Sequence, residues 1–182
     1  MFLENGYGAT TVAAVAEKAG VSVETIYKGF GGKPGLVRAI HERGLEGRGA
    51  RGLAESRSDA MSTREEDPRT IVKRWGAFVA EVSPLVSPIH LLIRSAAASE
   101  PELASLLHEI DESRLSRMKH NARKLSDRGF LKKGVSVDEA AEIMWGYTAP
   151  ELYDLFVMRR GWSPRDLGTF VAEALEAALL RR

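Results

Sequence analysis

Two short helical patterns meet at a tight corner within residues 10–30, and this corner constrains the fold more strongly than any other feature of the sequence. In the first pattern, apolar residues recur at i, i+3, i+4 and i+7, which predicts one buried helical stripe: Val12, Val15, Ala16 and Ala19. Gly20 suits the left-handed conformation that ends a helix, and Ser22 can cap the next one. The second helix has only Ile26 and Phe30 as large inward anchors, so it needs neighbouring helices to be stable.

This corner has the pattern of a helix-turn-helix, in which the second helix enters the DNA major groove and the first crosses the backbone. The turn is three residues long, from Gly20 to Ser22. An ordinary corner between packed helices gives the same bare pattern, so the corner alone leaves both interpretations open. In the helix-turn-helix interpretation, the outward residues of the second helix are Val23, Glu24, Thr25, Tyr27 and Lys28.

The longer run ENGYGATTVAAVAEKAGVSVETIYKGFGGKPGLV resembles the N-terminal DNA-binding domain of the TetR/AcrR family of transcriptional regulators. The resemblance covers Phe2 to about Ile40. It includes the Thr-Thr pair before the first corner helix, the Ala-Gly-Val-Ser turn and the Thr-Ile-Tyr of the second helix. It implies an all-α protein with an N-terminal three-helix helix-turn-helix domain, its first helix truncated here, and a C-terminal helical bundle for ligand binding and dimerisation.

The matched positions have physical roles in holding a duplex. Thr10 and Thr11 can cap free amides and donate a hydroxyl to phosphate, although capping alone explains either residue equally well. Tyr27 can reach a phosphate or a base edge, with core packing as the alternative. Lys33 opens the next helix, where its ammonium and the free amides favour one phosphate. The predicted DNA-binding residues are Thr10, Thr11, Ser22, Val23, Glu24, Thr25, Tyr27, Lys28 and Lys33.

Two departures from the family pattern support an alternative function. Gly29 stands where such regulators often carry a His or an aromatic residue, and glycine loosens a helix by up to about 1 kcal/mol. The sequence begins with MFLENGYG, where the family has a complete amphipathic helix, so either residues precede this start or DNA binding is impaired. The alternative is a dimeric small-molecule-binding module with impaired DNA binding.

Composition divides the chain into three parts. Residues 1–46 are predicted to form the DNA-binding domain with its connecting helix. Residues 47–66, rich in Gly, Ser and charge, predict a linker, and residues 67–182 predict the ligand-binding and dimerisation domain. Helix starts in this last part are expected after Asp67, Ser99, Ser136 and Ser163.

Proline and apolar spacing predict the helix lengths. Ser83-Pro84 and Ser87-Pro88 indicate that the helix beginning near Asp67 is interrupted and restarts. The helix after Ser99 should be the longest in the chain, and Pro150 should break or kink the one after Ser136.

Apolar residues in the last third indicate a subunit interface. In the family the two C-terminal helices pair with those of a second copy in a four-helix interface, which the resemblance assigns to roughly residues 137–160 and 163–180. Packing within one chain would explain each residue about as well. The predicted dimer-interface residues are Leu152, Leu155, Phe156, Phe170, Ala174 and Ala178.

A ligand cavity with apolar walls and one cationic group is expected in the C-terminal domain. Plain core packing also explains aromatic residues at helical spacing, so the pocket depends on the family resemblance. The predicted pocket residues are Trp75, Phe78, His90, Arg94, Met118 and Trp145.

The 182-residue sequence also excludes several classes of protein. It has no cysteine, which excludes thiol nucleophiles and Cys-type zinc sites, and it has no uninterrupted apolar run of about 18 residues. No HExxH or Walker motif occurs, so we expect no enzyme activity, no cofactor and no metal. The net charge is only +1, so DNA binding depends on where charges are placed.

The sequence therefore predicts a cytoplasmic, homodimeric transcriptional regulator. Two copies would place their second corner helices on a palindromic operator in double-stranded DNA. An unknown small-molecule effector would release this repressor from DNA. No membrane is expected as a partner.

Overall fold

A computed structural model describes residues 1–46 and 67–181, and the predicted linker at 47–66 lies outside the described residues. The predicted all-α class is confirmed: the described residues contain no β-strand, only an isolated bridge between Leu131 and Leu180. The helices of this part of the chain are α1 (Phe2–Ala9), α2 (Val12–Ala19), α3 (Val23–Phe30), α4 (Lys33–Glu46), α5 (Pro68–Ala97), α6 (Pro101–Asp127), α7 (Val137–Tyr147), α8 (Pro150–Tyr153), which continues as a π-helical turn (Asp154–Arg159), and α9 (Pro164–Leu179).

The helix-turn-helix corner forms from the local signals that the sequence carries. Gly20 ends α2 in the left-handed conformation, at φ +67°. Ser22 caps α3, its hydroxyl oxygen accepting from the amide of Thr25 at 3.1 Å. Gly31 then ends α3 at φ +72°, and α4 begins at Lys33. The predicted three-residue turn is therefore confirmed.

The predicted interruption of the long helix is wrong. Residues 68–97 form one helix of 30 residues that contains Pro84 and Pro88. Each proline removes one backbone hydrogen bond, but burial of Val82, Ser87 and Ile89 around these positions holds the helix together. With 27 residues, α6 is shorter than α5, so the expectation that it is the longest helix is also wrong.

Three of the four predicted helix starts are confirmed by side-chain caps. Asp67 accepts from two amides of α5, Ser136 accepts from the amide of Glu139, and Ser163 forms a complete capping box with α9. The fourth is displaced: Glu100 is the cap residue of α6, without a side-chain hydrogen bond, and Ser99 donates to the carbonyl of Ala96 at 3.3 Å.

Two clusters of buried side chains form the core. The first joins the corner to the facing halves of α5 and α6 and contains Phe2, Tyr7, Ala16, Ile26, Leu36, Val37, Ile89, Ile93, Leu103, Leu106 and Ile110. The second lies between α5, α6, α7, α8 and α9 and includes Ile71, Val72, Met144, Val171 and Leu175. Because the first cluster spans both parts of the chain, the corner is packed directly on the C-terminal bundle.

The helices α5 and α9 cross at two glycines. A Cβ built on Gly76 would lie 2.2 Å from the carbonyl oxygen of Gly168, and one on Gly168 would lie 2.4 Å from that of Gly76. Real Cβ atoms do not approach so closely, so the backbones meet only because both residues lack a side chain. By length and composition α5 is also apolar enough to cross a membrane, but the core helix of a soluble protein passes the same test, and five of its buried residues lie in these two core clusters.

Candidate nucleic-acid interface and ligand cavity

Helix α3 presents most of its side chains to solvent. Ile26 is its buried residue, whereas Val23 is 42% and Tyr27 55% exposed. Ser22, Glu24, Thr25 and Lys28 are exposed as well, so the structure brings the predicted reading residues together on one short helix. Phe30, expected as an inward anchor, is 44% exposed, and that expectation is wrong.

The two threonines before α2 have different roles. Thr11 is the cap residue, since its hydroxyl oxygen accepts from the amide of Ala14 at 3.1 Å. Thr10 is only 1% exposed and donates its hydroxyl to the carbonyl of Gly6 at 2.8 Å. A phosphate cannot reach this buried hydroxyl, so the predicted DNA contact of Thr10 is corrected to a local hydrogen bond with the backbone of α1.

Lys33 is held by the chain itself. Its Nζ donates to the carbonyl of Tyr7 at 2.9 Å and lies 4.1 Å from the centre of the Tyr7 ring. This cation–π contact and hydrogen bond fix α4 against α1. Lys33 is half-buried, and the predicted phosphate contact would share its ammonium with Tyr7.

A cavity of about 390 Å³ lies between α4, α5, α6, α7 and α9. Four of the six predicted pocket residues line it: Trp75, Phe78, His90 and Met118. Its walls are mainly apolar, and α4 also contributes Arg38, His41, Glu42 and Leu45. This size and lining are typical of a site for a small organic ligand.

The other two predicted pocket residues, Arg94 and Trp145, lie outside the cavity wall. Arg94 is instead paired with Asp111 at 3.4 Å and with Glu151. The cations that line the cavity are instead Arg38, Arg114 and Arg117, which sequence reasoning missed.

Arg114 is fixed by four contacts. It donates to Asp111 at 3.2 Å and to the backbone carbonyls of Trp145 and Thr148 at 3.1 and 3.2 Å. Its guanidinium also lies 5.0 Å from the centre of the Trp145 ring. Trp145 therefore supports the cation from behind the cavity wall, and burial lowers the pKa of Arg114.

Two buried imidazoles face each other across the two parts of the chain. The rings of His41, on α4, and His90, on α5, have centres 5.9 Å apart. Burial, with a smaller effect of Arg114, lowers the pKa of each to about 4, so both are neutral at pH 7. The described residues contain no group of three or more His, Asp or Glu side chains placed to hold a metal ion.

The predicted interface residues lie at the surface of the bundle, on α8, the π-helical turn and α9. Leu155 is 47% exposed, whereas the others are partly buried: Leu152, Phe156, Phe170, Ala174 and Ala178. Met158 and Trp162, which were not predicted, are 56% and 37% exposed beside them. The rings of Phe156 and Trp162 have centres 4.5 Å apart, which makes this surface an aromatic patch.

Comparisons with known proteins agree with this architecture. Residues 1–40 match the family described as bacterial regulatory proteins, tetR family. The chain is 42% identical over 50 residues to an uncharacterized HTH-type transcriptional regulator, YvkB of Bacillus subtilis (strain 168). That match covers 28% of this chain and 26% of the relative, so the aligned segment spans about a quarter of its length.

Solved structures share the fold along nearly the whole chain. The SmeT–triclosan complex has a TM-score of 0.75 at 20% identity and covers 99% of this chain and 86% of that one. FadR from Bacillus subtilis with stearoyl-CoA has a TM-score of 0.74 at 21% identity, with 96% and 91% covered. The TetR family regulator PfmR from Thermus thermophilus has a TM-score of 0.67 at 17% identity, with 99% and 94% covered.

The structure thus places an exposed short helix, on a helix-turn-helix corner, beside a helical bundle that contains a cavity. The family match confirms the TetR resemblance for residues 1–40, and the solved structures show that the chain shares the fold of such regulators along nearly its whole length.

Proposed function

We propose that this protein is a homodimeric, cytoplasmic repressor that binds a palindromic operator and is released from it by a small-molecule effector. The observation that carries the proposal is the outward face of α3, where Thr25, Tyr27 and Lys28 are exposed on a helix capped at both ends. A hydroxyl, a phenol and an ammonium on the exposed side of this short helix can contact phosphates and base edges.

A second copy of the chain would cover the aromatic patch. Leu155, Met158 and Trp162 leave large apolar side chains in water, which favours an interface at this surface. A two-fold axis at this surface would present two α3 helices to the DNA. Paired helices of this kind read half-sites that are about one helical turn, or a multiple of it, apart. One copy of so short a helix would bind weakly, so the dimer supplies the affinity.

The cavity supports an effector. SmeT and FadR, which share the fold, were solved in complex with triclosan and stearoyl-CoA. In this chain α4, which follows α3 directly, supplies Arg38, His41, Glu42 and Leu45 to the cavity wall. A ligand that favours a different position of α4 would change the spacing of the two α3 helices, and couplings of about 1–3 kcal/mol are typical of such systems.

Selection of duplexes from a random pool tests the proposal. We expect the purified protein to enrich a palindrome, with an affinity that falls steeply with salt. Lys28→Ala should weaken all selected sequences alike and reduce the salt slope by about 1, whereas Thr25→Ala should change the preference at one base step. Lys133→Ala, an equal loss of charge at an exposed site on the bundle, should leave binding unchanged.

Two results would contradict the proposal. A monomeric mass in light scattering at micromolar concentration would exclude the dimer. Failure to enrich any duplex would instead favour the alternative, a ligand-binding module that does not bind DNA.

A further inference from the structure

Three buried polar atoms on the cavity wall have no hydrogen-bond partner among the described residues. They are Nε2 of His41, Nδ1 of His90 and Nε1 of Trp75. The three side chains are 4%, 0% and 5% exposed. Buried polar groups in proteins are almost always hydrogen-bonded, so three such atoms around one cavity indicate a ligand that supplies the missing partners.

The two imidazoles specify what kind of group they bind. Neutral at pH 7, each ring has one N–H donor and one nitrogen lone pair. Their centres are 5.9 Å apart, within the span of about 8 Å that a single oxygen atom hydrogen-bonded to a nitrogen of each ring can bridge. A hydroxyl group both donates and accepts, so it can satisfy His41 and His90 together.

Charges near the imidazoles are already balanced. Arg94 and Arg114 face Asp111 and Glu151, two positive charges against two negative ones. Arg114 also gives two donors to backbone carbonyls. A carboxylate entering this end would lose its hydration without meeting an excess of positive charge, so the site favours an uncharged group.

The length of the cavity follows from its two ends. Trp75 and His90 both line it and are separated by 15 residues of α5, or about 22 Å of helix. The stretch between them is mainly apolar on the cavity side: Phe78, Val79, Val82 and Val86. An elongated apolar molecule fits this shape, and the indole N–H of Trp75 is a donor at its far end.

We propose that the cavity binds an elongated, uncharged, largely apolar molecule ending in a hydroxyl group, which bridges His41 of α4 and His90 of α5. The inference extends the proposed function by naming the class of effector. It also identifies His41 as the residue through which a bound ligand affects the position of α3, because His41 belongs to α4, the helix that follows α3. A Cβ built on Gly44 of α4 would lie 3.1 Å from Val86 of α5, so the two helices that carry the imidazoles pack closely at this glycine.

Three probes of matched shape test the chemistry by titration calorimetry on the full chain without DNA: 4-hexylphenol, its methyl ether 4-hexylanisole, and 4-hexylbenzoate. The phenol keeps the hydroxyl, the ether removes its donor, and the benzoate carries a charge. We expect the phenol to bind at least about tenfold tighter than the other two, the effect of one well-placed hydrogen bond. An ether as tight as the phenol, a tighter benzoate, or no binding of any probe would overturn the proposal.

Variants locate the bridge. His41→Phe and His90→Phe should each lower phenol affinity about tenfold and ether affinity much less, since the ether oxygen can accept a hydrogen bond but cannot donate one and so cannot bridge both imidazoles. Met118→Leu, a volume-conserving change on the same wall, should affect both probes equally. His41→Leu and His90→Leu, which likewise lack a hydrogen-bonding group, provide a second pair with the same expected result if the Phe variants fold poorly. Equal losses for phenol and ether in the His variants would contradict the bridge.

Coupling to DNA is measured separately, with the duplex selected above. The phenol should weaken DNA binding by the wild-type chain and much less by His41→Phe at matched occupancy. An equal effect on both would show that His41 does not transmit binding. Because the titrations use no DNA, a protein that fails to bind DNA could still bind the phenol. Likewise, a protein that fails to bind the phenol could still bind DNA, so the two failures are distinguishable.

Discussion

The helix-turn-helix corner and the crossing of α5 with α9 are stabilised in opposite ways. Helix α3 buries Ile26, whereas the 16-residue α9 buries six residues: Leu167, Gly168, Val171, Ala172, Leu175 and Leu179. At the corner, glycines end helices in left-handed conformations and their Cβ positions are open. At the crossing, glycines remove side chains so that two backbones can touch.

This difference shows what each region is for. The corner owes its shape to caps and turns, which define a geometry while leaving the outer side of α3 free for another molecule. The crossing owes its stability to area buried between helices, which leaves little freedom for either one. Changes at the crossing should therefore unfold the protein, whereas changes at the corner should alter binding first.

The largest effect is expected from Gly168→Val at the crossing. Its Cβ would meet the carbonyl oxygen of Gly76 at 2.4 Å, and a backbone atom cannot move aside as a side chain can. We expect a loss of more than about 4 kcal/mol in the free energy of unfolding, measured by urea titration. Gly29→Ala in α3 is the matched change, with no atom within 4 Å of the new Cβ, and should stabilise by up to about 1 kcal/mol. Equal changes in unfolding free energy for Gly168→Val and Gly29→Ala would contradict the difference between the crossing and the corner.

Acid should weaken the contact between α4 and α5, where His41 and His90 are buried against each other. In the folded chain the pKa of His41 and of His90 is about 4, against 6.5 for an ordinary imidazole, because burial disfavours the charged ring. The unfolded chain therefore binds more protons between pH 6.5 and 4, so stability is complete above this window and is lost as the pH falls through it. Between about pH 7 and 5 the loss should be about 2 kcal/mol for each imidazole.

His90→Gln isolates one titrating group. The slope of unfolding free energy against pH, read from urea midpoints between about pH 7 and 5, should fall to about half in this variant. A slope that stays at the wild-type value would show that His90 is not buried as a neutral ring.

Signals within a few residues of each other were predictable from the sequence. The Gly20 and Ser22 turn, the Asp67 cap and the Ser163 capping box all formed where expected. Each depends on one side chain or one backbone conformation acting on its neighbours, so no tertiary contact is needed to specify it.

Errors arose where the outcome depends on which neighbour covers a face. Helical spacing places Phe30 and Ile26 together, but the packing covers Ile26 alone. Thr10 and Thr11 are chemically equal, and the carbonyl of Gly6 binds only the first. Arg114 rather than Arg94 reaches the cavity because two carbonyls at the end of α7 hold it there, a long-range contact without a local signal.

Ile26→Ala tests how far the corner depends on a single anchor. Removing a buried Ile side chain should cost about 3 kcal/mol, and because Ile26 lies in the cluster shared with α5 and α6 the loss should appear as lower global stability. Val23→Ala, on the exposed side of the same helix, should stay within about 0.5 kcal/mol. A small loss for Ile26→Ala would mean that α3 is held mainly by its caps.

Cap substitutions give the smallest effects and compare the two regions directly. Thr11→Ala at the corner and Ser163→Ala at α9 each remove a hydroxyl that accepts from a backbone amide at 3.1 Å, and each should cost about 1 kcal/mol in urea unfolding. Ser99→Ala is the control, since this hydroxyl donates to a carbonyl and caps no amide, so its loss should be smaller. The amide of Ser163 also donates to the carboxylate of Asp166 at 3.1 Å, so a larger loss at Ser163 than at Thr11 would measure how far that second bond depends on the hydroxyl. If Ser99→Ala proved as damaging as the other two, α6 would depend on the cap that the sequence predicted and the structure does not contain.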